Sequence, residues 1–203
     1  MSGALPFSEE HRDCLQELCN VAMGAAGESL ADFAKVFVNL SIPKIRYIQP
    51  SQISEALSSL HGVDRVSSAA QFFSMGEHGG YSMVVITDPS FEDLASTTGR
   101  ELVNDEARKQ LLLDLTLCIN NTCLPQLAEL MESSIEVCEP DLLSLHVPLE
   151  QLAFTDIASW DHVVSVEINY HLEDHPFNCD LLLLLPDEVV EALVEALESL
   201  LND

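Results

Sequence analysis

The order of predicted elements occurs twice along this chain, as an internal repeat. Each half, approximately 8–100 and 101–203, reads as a long helix, extended segments, two strands joined by a turn and a closing helix. A shift of 97 residues places Pro89 on Pro186, and Ser-Leu-Ala-Asp at 29–32 on Gln-Leu-Ala-Glu at 126–129. Because the same shift aligns similar residues at separate positions in the chain, the repeat favours a duplicated fold over the alternative of two unrelated α+β halves.

We therefore expect a single α/β (α+β) domain over residues 1–203, with pseudo-two-fold symmetry. Its helix–strand–strand–helix halves would share one sheet, with the two long helices on one face. Ser8 and Asn104 are the expected N-caps of those helices. The strand Asn178–Pro186 reads as fully buried, since it contains five consecutive leucines.

Three local features complete the predicted element order. Ser90 and Asp93 are interpreted as a capping box that opens the helix after the first hairpin. The stretch 141–159 is expected to be loop-rich with a short helix. Asp187 is the expected cap of the last helix.

Composition limits the kinds of partner. Eight Lys and Arg against 34 Asp and Glu give a formal net charge of −26, which disfavours nucleic acid and anionic membranes. A basic protein partner, or one with a basic edge, would be attracted, although acidity also simply confers solubility. The sequence shows no signal peptide and no membrane-length apolar run, so a cytoplasmic location without membrane insertion is expected.

Six cysteines, in that setting, are expected to be reduced thiols. Cys14 and Cys19, like Cys118 and Cys123, are five positions apart, which does not place them on one helix face. Without a matching set of histidines, we expect no metal site and no cofactor bound by this chain.

The first long helix contains an unusual stripe. Glu17, Asn20, Gly24, Gly27 and Ala31 are spaced 3, 4, 3 and 4 residues apart and so share one face. Each interior glycine costs about 1 kcal/mol relative to alanine. Bare helix surface permits close approach by another element. That element could be a partner protein, or it could be the chain's own sheet, with Glu17 and Asn20 merely solvated.

The chemistry of the stripe is limited without a partner. The sequence has no Ser–His–Asp pattern, no phosphate-binding glycine loop and no His-Glu-x-x-His motif. The Asn20 amide could hold a water molecule, and the Glu17 carboxylate could pair with a Lys or Arg of another protein. Such a pair could complete a partner's active site that already contains a metal and an activated phosphoryl group.

These residues resemble the CheC/CheX/FliY family of bacterial chemotaxis phosphatases. The family pattern is an acidic residue, Glu-x-x-Asn on a long helix, small residues and a leucine ten places after the Asn. Here that pattern reads Asp13, Glu17, Asn20, Gly24 and Leu30. The family also has two such helices in an internally duplicated domain, so the resemblance covers nearly the whole chain.

The resemblance implies hydrolysis of the aspartyl phosphate of a CheY-like receiver domain, which would supply Mg²⁺. Asn20 would orient the attacking water and Glu17 would pair with a receiver cation; together they form the expected catalytic site. Asp13, Gly24 and Gly27 are the expected partner-binding residues. Homodimers occur in the CheX branch, which leaves a homodimer open for this chain.

The second copy departs from the family pattern. The 97-residue shift places Asp114 on Glu17, Leu117 on Asn20 and Asn121 on Gly24. Aligning Asn120 with the motif Asn instead would place Leu117 at the Glu position. We therefore expect one active site on the first helix and a degenerate second site. The alternatives are a non-catalytic receiver-binding or flagellar-switch-like module on the same fold, and a purely structural stripe that packs internally.

Overall fold

The computed structural model describes residues 7–57, 63–75, 78–152 and 157–202. The two longest helices each have 26 residues. In chain order the elements are α1 (Glu9–Ala34), β1 (Val38–Leu40), β2 (Lys44–Ile48), α2 (Ile53–Ala56), β3 (Val66–Met75), β4 (His78–Thr87), α3 (Asp88–Thr98), α4 (Asp105–Leu130), β5 (Ile135–Val137), β6 (Asp141–Val147), β7 (Val163–Leu172), β8 (Asn178–Pro186) and α5 (Val190–Asn202).

One antiparallel sheet contains strands from both halves, in the order β1-β7-β8-β4-β3-β5. The inner hairpins β3–β4 and β7–β8 meet where β4 pairs with β8, from Tyr81 opposite Leu184 to Ile86 opposite Cys179. The short strands are exchanged between the halves, because β1 and β2 pair with β7 while β5 and β6 pair with β3. The predicted duplicated fold with one shared sheet is thus confirmed.

The 97-residue register holds for the long helices and for the first strand of each hairpin. It carries seven of the eight buried residues of α1 onto buried residues of α4. It also relates the β1–β7 and β5–β3 pairings, in which Val38 faces Leu172 and Ile135 faces Met75.

The fourth strand of each half follows a shift of 99 instead. Thr87 faces Val66 at the end of one hairpin, whereas Pro186 faces Val163 at the end of the other. The β7–β8 turn is two residues longer, so Pro186 corresponds to Thr87. The proposed match of Pro89 with Pro186 was wrong by those two residues.

The sheet has a hydrophobic core on each face. On one face, α1 and α4 pack side by side, flanked by α3 and α5, over apolar side chains such as Phe73, Val166 and Leu183. The two helices also touch through polar atoms, with a 2.7 Å hydrogen bond between the hydroxyls of Ser29 and Thr122. A smaller core on the other face lies under α2 and the segment around Leu149 and Ile157. The long helices therefore share one face, as predicted.

Three local predictions differ from the structure. The stretch 141–159, expected to be loop-rich, begins with strand β6, which pairs with β3 and so gains its partner from the other half. Helix α3 is capped by the Thr87 side chain, which accepts from the Ser90 amide, and not by a Ser90–Asp93 box. Asp187 begins a 3₁₀ turn that precedes α5, and its carboxylate accepts a hydrogen bond from the Tyr47 hydroxyl at 2.6 Å.

A polar trio is buried between α4 and the sheet. The Asn120 side chain is fully buried, donating to Gln71 Oε1 at 2.8 Å and accepting from the Ser82 hydroxyl at 2.7 Å. Gln71 in turn donates to the main-chain carbonyl of Cys138. The repeat-related position on α1 is the buried Met23, so the fold also accepts an apolar residue there. The trio is consequently a satisfied polar network inside an otherwise apolar layer.

Replacing Asn120 by alanine is expected to lower the free energy of unfolding by about 2–4 kcal/mol, because Ser82 and Gln71 lose their partner in a buried layer. Urea denaturation followed by circular dichroism measures this change. The matched control is Asn121→Ala, which alters the exposed neighbour and should change stability by less than about 0.5 kcal/mol. Equal effects of the two variants would contradict the assigned network.

Candidate functional site

Helix α1 holds the candidate residues on a rigid support. Its first turn is fixed by Ser8, whose hydroxyl accepts from the His11 amide at 3.2 Å. Its last turn ends at Lys35, which adopts a left-handed conformation with φ of 58° and donates its amide to Ala31 O. Between these ends one face is buried in the core, and the opposite face is left to solvent. The expected N-cap at Ser8 is confirmed.

Glu17 and Asn20 lie on the solvent face of α1, and both side chains are exposed. Within the described part of the chain, neither side chain makes a hydrogen bond or an ion pair. Their functional groups are therefore free to bind another molecule. The purely structural alternative, in which the polar end of the stripe packs internally, does not fit this exposure.

Asp13 lies one turn before Glu17 and is also exposed. Its carboxylate accepts from the Arg12 guanidinium at 2.8 Å, and Arg12 additionally approaches Glu9. The same pairing raises the pKa of Arg12, chiefly through the hydrogen bond to Asp13. A partner cation would have to compete with Arg12 for Asp13, whereas no described residue competes for Glu17.

Open surface continues from Asn20 along the same face. A Cβ atom added at Gly24 would meet no other atom within 4 Å. Val21, which sequence analysis missed, is 45% exposed beside this opening. Its spacing of four residues from Glu17 and three from Gly24 was the available signal for placing it on this face. Glu17, Asn20, Val21 and Gly24 thus form a contiguous surface of one carboxylate, one amide and a low apolar area.

Gly27 has a different role from the predicted one. It is buried, and an added Cβ would lie 3.0 Å from Leu40 Cδ1 in strand β1. The absence of a side chain lets β1 pack closely against α1. The prediction that Gly27 contributes to a partner-binding surface is corrected, and the alternative of packing against the chain's own sheet describes this residue.

The two glycines make opposite predictions for alanine substitution. Gly24→Ala is expected to raise the free energy of unfolding by about 0.5–1 kcal/mol, since a helical alanine costs less chain entropy and meets no obstacle. Gly27→Ala serves as the matched control and should gain less or lose stability, because Leu40 must move. Chemical denaturation of both variants tests this. No gain from Gly24→Ala would contradict the open surface there, and an equal gain at both sites would contradict the close packing of Leu40 on Gly27.

The degenerate second site lies on α4. Asp114 is half-buried and already paired, with the Arg100 guanidinium and, at 2.9 Å, with the Gln110 amide. Arg100 also lies over the Phe33 ring, at 5.5 Å from its centroid. Leu117, at the position of Asn20, is half-buried and carries no hydrogen-bonding group. The Asp114 carboxylate is therefore engaged in contacts within the chain, and Leu117 cannot orient a water molecule.

Neither asparagine near Leu117 restores the motif on α4. Asn121 is exposed, yet it lies one turn beyond the position of Asn20, as the repeat predicts. Asn120, the alternative register, is fully buried in the polar trio and cannot reach a partner. The two helices therefore differ both in sequence and in packing: α1 carries an exposed Glu-x-x-Asn motif and α4 does not.

The described residues offer little support for a cysteine nucleophile, a metal site or a membrane-spanning helix. Burial raises the pKa of Cys118 to about 11 and that of Cys123 to about 12, which keeps both thiols protonated and poorly nucleophilic near neutral pH. Over the described ranges, no group of three or more His, Cys, Asp or Glu is arranged to hold a metal ion. No helix among those residues is long and apolar enough to cross a membrane.

An apolar cavity of about 170 Å³ lies between α1, α4, α5 and the sheet. Leu15, Cys19 and Phe73 are among its lining residues. Leu15 and Cys19 are on the buried face of α1, so the cavity is separated from Glu17 and Asn20 by the helix itself. It contributes nothing to the candidate site.

Comparison with known proteins gave no match to any family model, and none to a curated protein sequence. Solved structures do match. FliY from Thermotoga maritima superposes with a TM-score of 0.72 at 15% identity, covering 96% of this chain and 99% of FliY. The FliM middle domain from H. pylori gives a TM-score of 0.61 at 12% identity, covering 94% and 99%.

A third match is CheX in the CheX–CheY–BeF3–Mg²⁺ complex from Borrelia burgdorferi. Its TM-score is 0.52 at 12% identity, with 82% of this chain and 96% of that chain covered. The likeness in all three cases is one of architecture, since the sequences have diverged widely. This chain has the fold of the CheC, CheX and FliY chemotaxis proteins.

Proposed function

We propose that this protein is a phosphatase that hydrolyses the aspartyl phosphate of a CheY-like receiver domain. The observation that carries the proposal is the free, exposed pair of Glu17 and Asn20 on one face of α1, beside the open surface at Gly24. One matching structure is a complex of CheX with CheY, which supports a receiver as the kind of partner.

The proposed reaction divides its groups between two proteins. The receiver would supply the phosphorylated aspartate and a Mg²⁺ ion, which would provide positive charge at the phosphoryl group. Asn20 enters the receiver's site, where its amide oxygen accepts a hydrogen bond from the attacking water and its amide nitrogen donates one. Water then attacks phosphorus in line with the departing carboxylate oxygen, releasing inorganic phosphate and the free aspartate.

Glu17 docks the two proteins. Its unpaired carboxylate would form an ion pair with a Lys or Arg of the receiver, one turn of helix from Asn20. Gly24 and Val21 allow the receiver surface to approach the helix closely. The formal charge of −26 would speed encounter with a basic surface around the receiver's site.

Asn20→Ala is expected to reduce phosphate release from a phosphorylated CheY-like receiver by about 10²-fold or more, because one group that orients the reacting water is lost. Release is measured as inorganic phosphate after phosphorylation of a receiver panel with a small-molecule phosphodonor. The matched control is Asn121→Ala on α4, which should retain the wild-type rate. Unchanged activity in the Asn20 variant would rule out the mechanism.

Glu17→Gln is expected to act on docking. The variant should raise KM more than it lowers kcat, and it should weaken the dependence of kcat/KM on salt, because one intermolecular ion pair is removed. Steady-state rates at several NaCl concentrations measure both effects. Asp114→Asn is the matched control, since that carboxylate is engaged by Arg100 within the chain. A fall in kcat alone would place Glu17 in the chemical step instead.

A non-catalytic receiver-binding module is the second candidate. It is supported by the FliM middle domains among the matching structures, since the fold is shared by proteins other than CheX. The same receiver panel separates the two candidates. Binding in a titration with an unchanged phospho-receiver lifetime would select the binding module over the phosphatase.

A further inference from the structure

The open edge of the sheet at β1 has an unusual apolar surface. Phe37 is 78% exposed and Ile42 is 72% exposed, and Leu40 between them is 37% exposed. A cleft lined by Ala31, Asp32, Lys35, Val36 and Phe37 adjoins them at the end of α1. We call Phe37, Leu40 and Ile42 the β1 edge patch.

The main chain of β1 is available for pairing on its outer side. Phe37 O accepts from the Glu173 amide and Ser41 N donates to Asn169 O, so these residues bond inward to β7. In an antiparallel pair the intervening residues, Val38 and Leu40, direct their amide and carbonyl groups away from the partner strand. Among the described strands, β1 pairs with β7 alone. An additional strand could therefore bond along Val38–Leu40.

The repeat shows that the fold does not require this apolar edge. Strand β5 occupies the equivalent edge, and the 97-residue register places Ser134 on Phe37 and Glu139 on Ile42. The second half thus builds the same edge with a hydroxyl and a carboxylate. The fold therefore does not require the apolar side chains of Phe37 and Ile42 at this edge.

Charges around the patch define what can cover it. Exposed carboxylates of Asp32 and Glu173 border the patch, with Lys35 in the adjoining cleft and Lys44, which lies 3.9 Å from Glu167, two residues after Ile42. A second copy of this chain would bring a second set of these carboxylates, and another charge of −26, against the first. A basic segment would instead be attracted to the rim and could place its apolar side chains on Phe37 and Ile42.

We propose that the β1 edge is a second docking site, which binds an extended segment of a basic protein by strand addition. Apolar side chains of that segment would contact Phe37, Leu40 and Ile42, and its Lys or Arg side chains would meet the rim carboxylates. Leu40 contacts α1 at Gly27, which is seven residues after Asn20 and about 10 Å further along the helix. The edge contains none of the residues of the proposed phosphatase site, and the proposal does not depend on that function.

The test uses the full chain and a short capped fluorescent peptide composed of valine and lysine, with valines on both faces of the extended peptide. The double variant Phe37→Ser, Ile42→Ser removes both apolar side chains without changing the charge, and it should weaken binding at least about tenfold by removing two apolar anchors. Fluorescence anisotropy measures the affinity. Leu201→Ser, at a 48% exposed apolar residue on α5, is the matched control and should bind like the wild type. Ile42→Ser alone gives a second variant if the double one unfolds.

Further outcomes decide the identity of the occupant. Binding should weaken with added salt, and a matched valine–glutamate peptide should not bind. No binding of the lysine peptide, equal binding of the acidic peptide, or unchanged affinity in both variants would overturn the proposal. A wild-type dimer in analytical ultracentrifugation that dissociates in the double variant would assign the edge to a second copy and also overturn it. Phosphate release without peptide should be unchanged in these variants, which separates this test from that of the phosphatase.

Discussion

Antiparallel pairing of β4 with β8 is the constraint on which the rest of the structure depends. It joins the two hairpins into one sheet, and the exchanged outer strands then tie each half to the hairpin of the other. Because both long helices start from equivalent positions of a pseudo-two-fold arrangement, they pack side by side on one face. Their opposite sides are left to solvent, so Glu17 and Asn20 are exposed there and have no partner among the residues that the structure describes.

Duplication provides an internal reference for each residue of the site. Where the repeat-related position carries a residue of different chemistry, the fold accepts both, and the difference points to a local role. Glu17 is free, whereas Asp114 is bound to Arg100. Met23 fills apolar space, whereas Asn120 joins a polar network. Phe37 is exposed on one edge, whereas Ser134 occupies the other.

Sequence patterns predicted the elements with strong periodicity and the register that relates them. Caps at Ser8 and Asn104 were visible because one side chain next to a helix start is a local signal. Strand β6 was missed, since its pairing partner β3 lies far away in sequence and its half-buried pattern is weak. The correspondence of Pro186 with Thr87 was missed because the β7–β8 turn is two residues longer than the β3–β4 turn. This difference changes the register only for residues that follow the turn.

The sequence by itself determined the duplication, the polar stripe on α1 and the loss of Glu-x-x-Asn from α4. These features depend on residue identity and on spacing along one helix, and both can be read directly from the sequence. Only the tertiary structure decided which part of the stripe is open. Gly24 faces solvent and Gly27 lies under Leu40, although both are interior glycines of one helix, because β1 crosses that helix at only one of them. Contacts between segments distant in the chain made that distinction, and no local pattern encodes them.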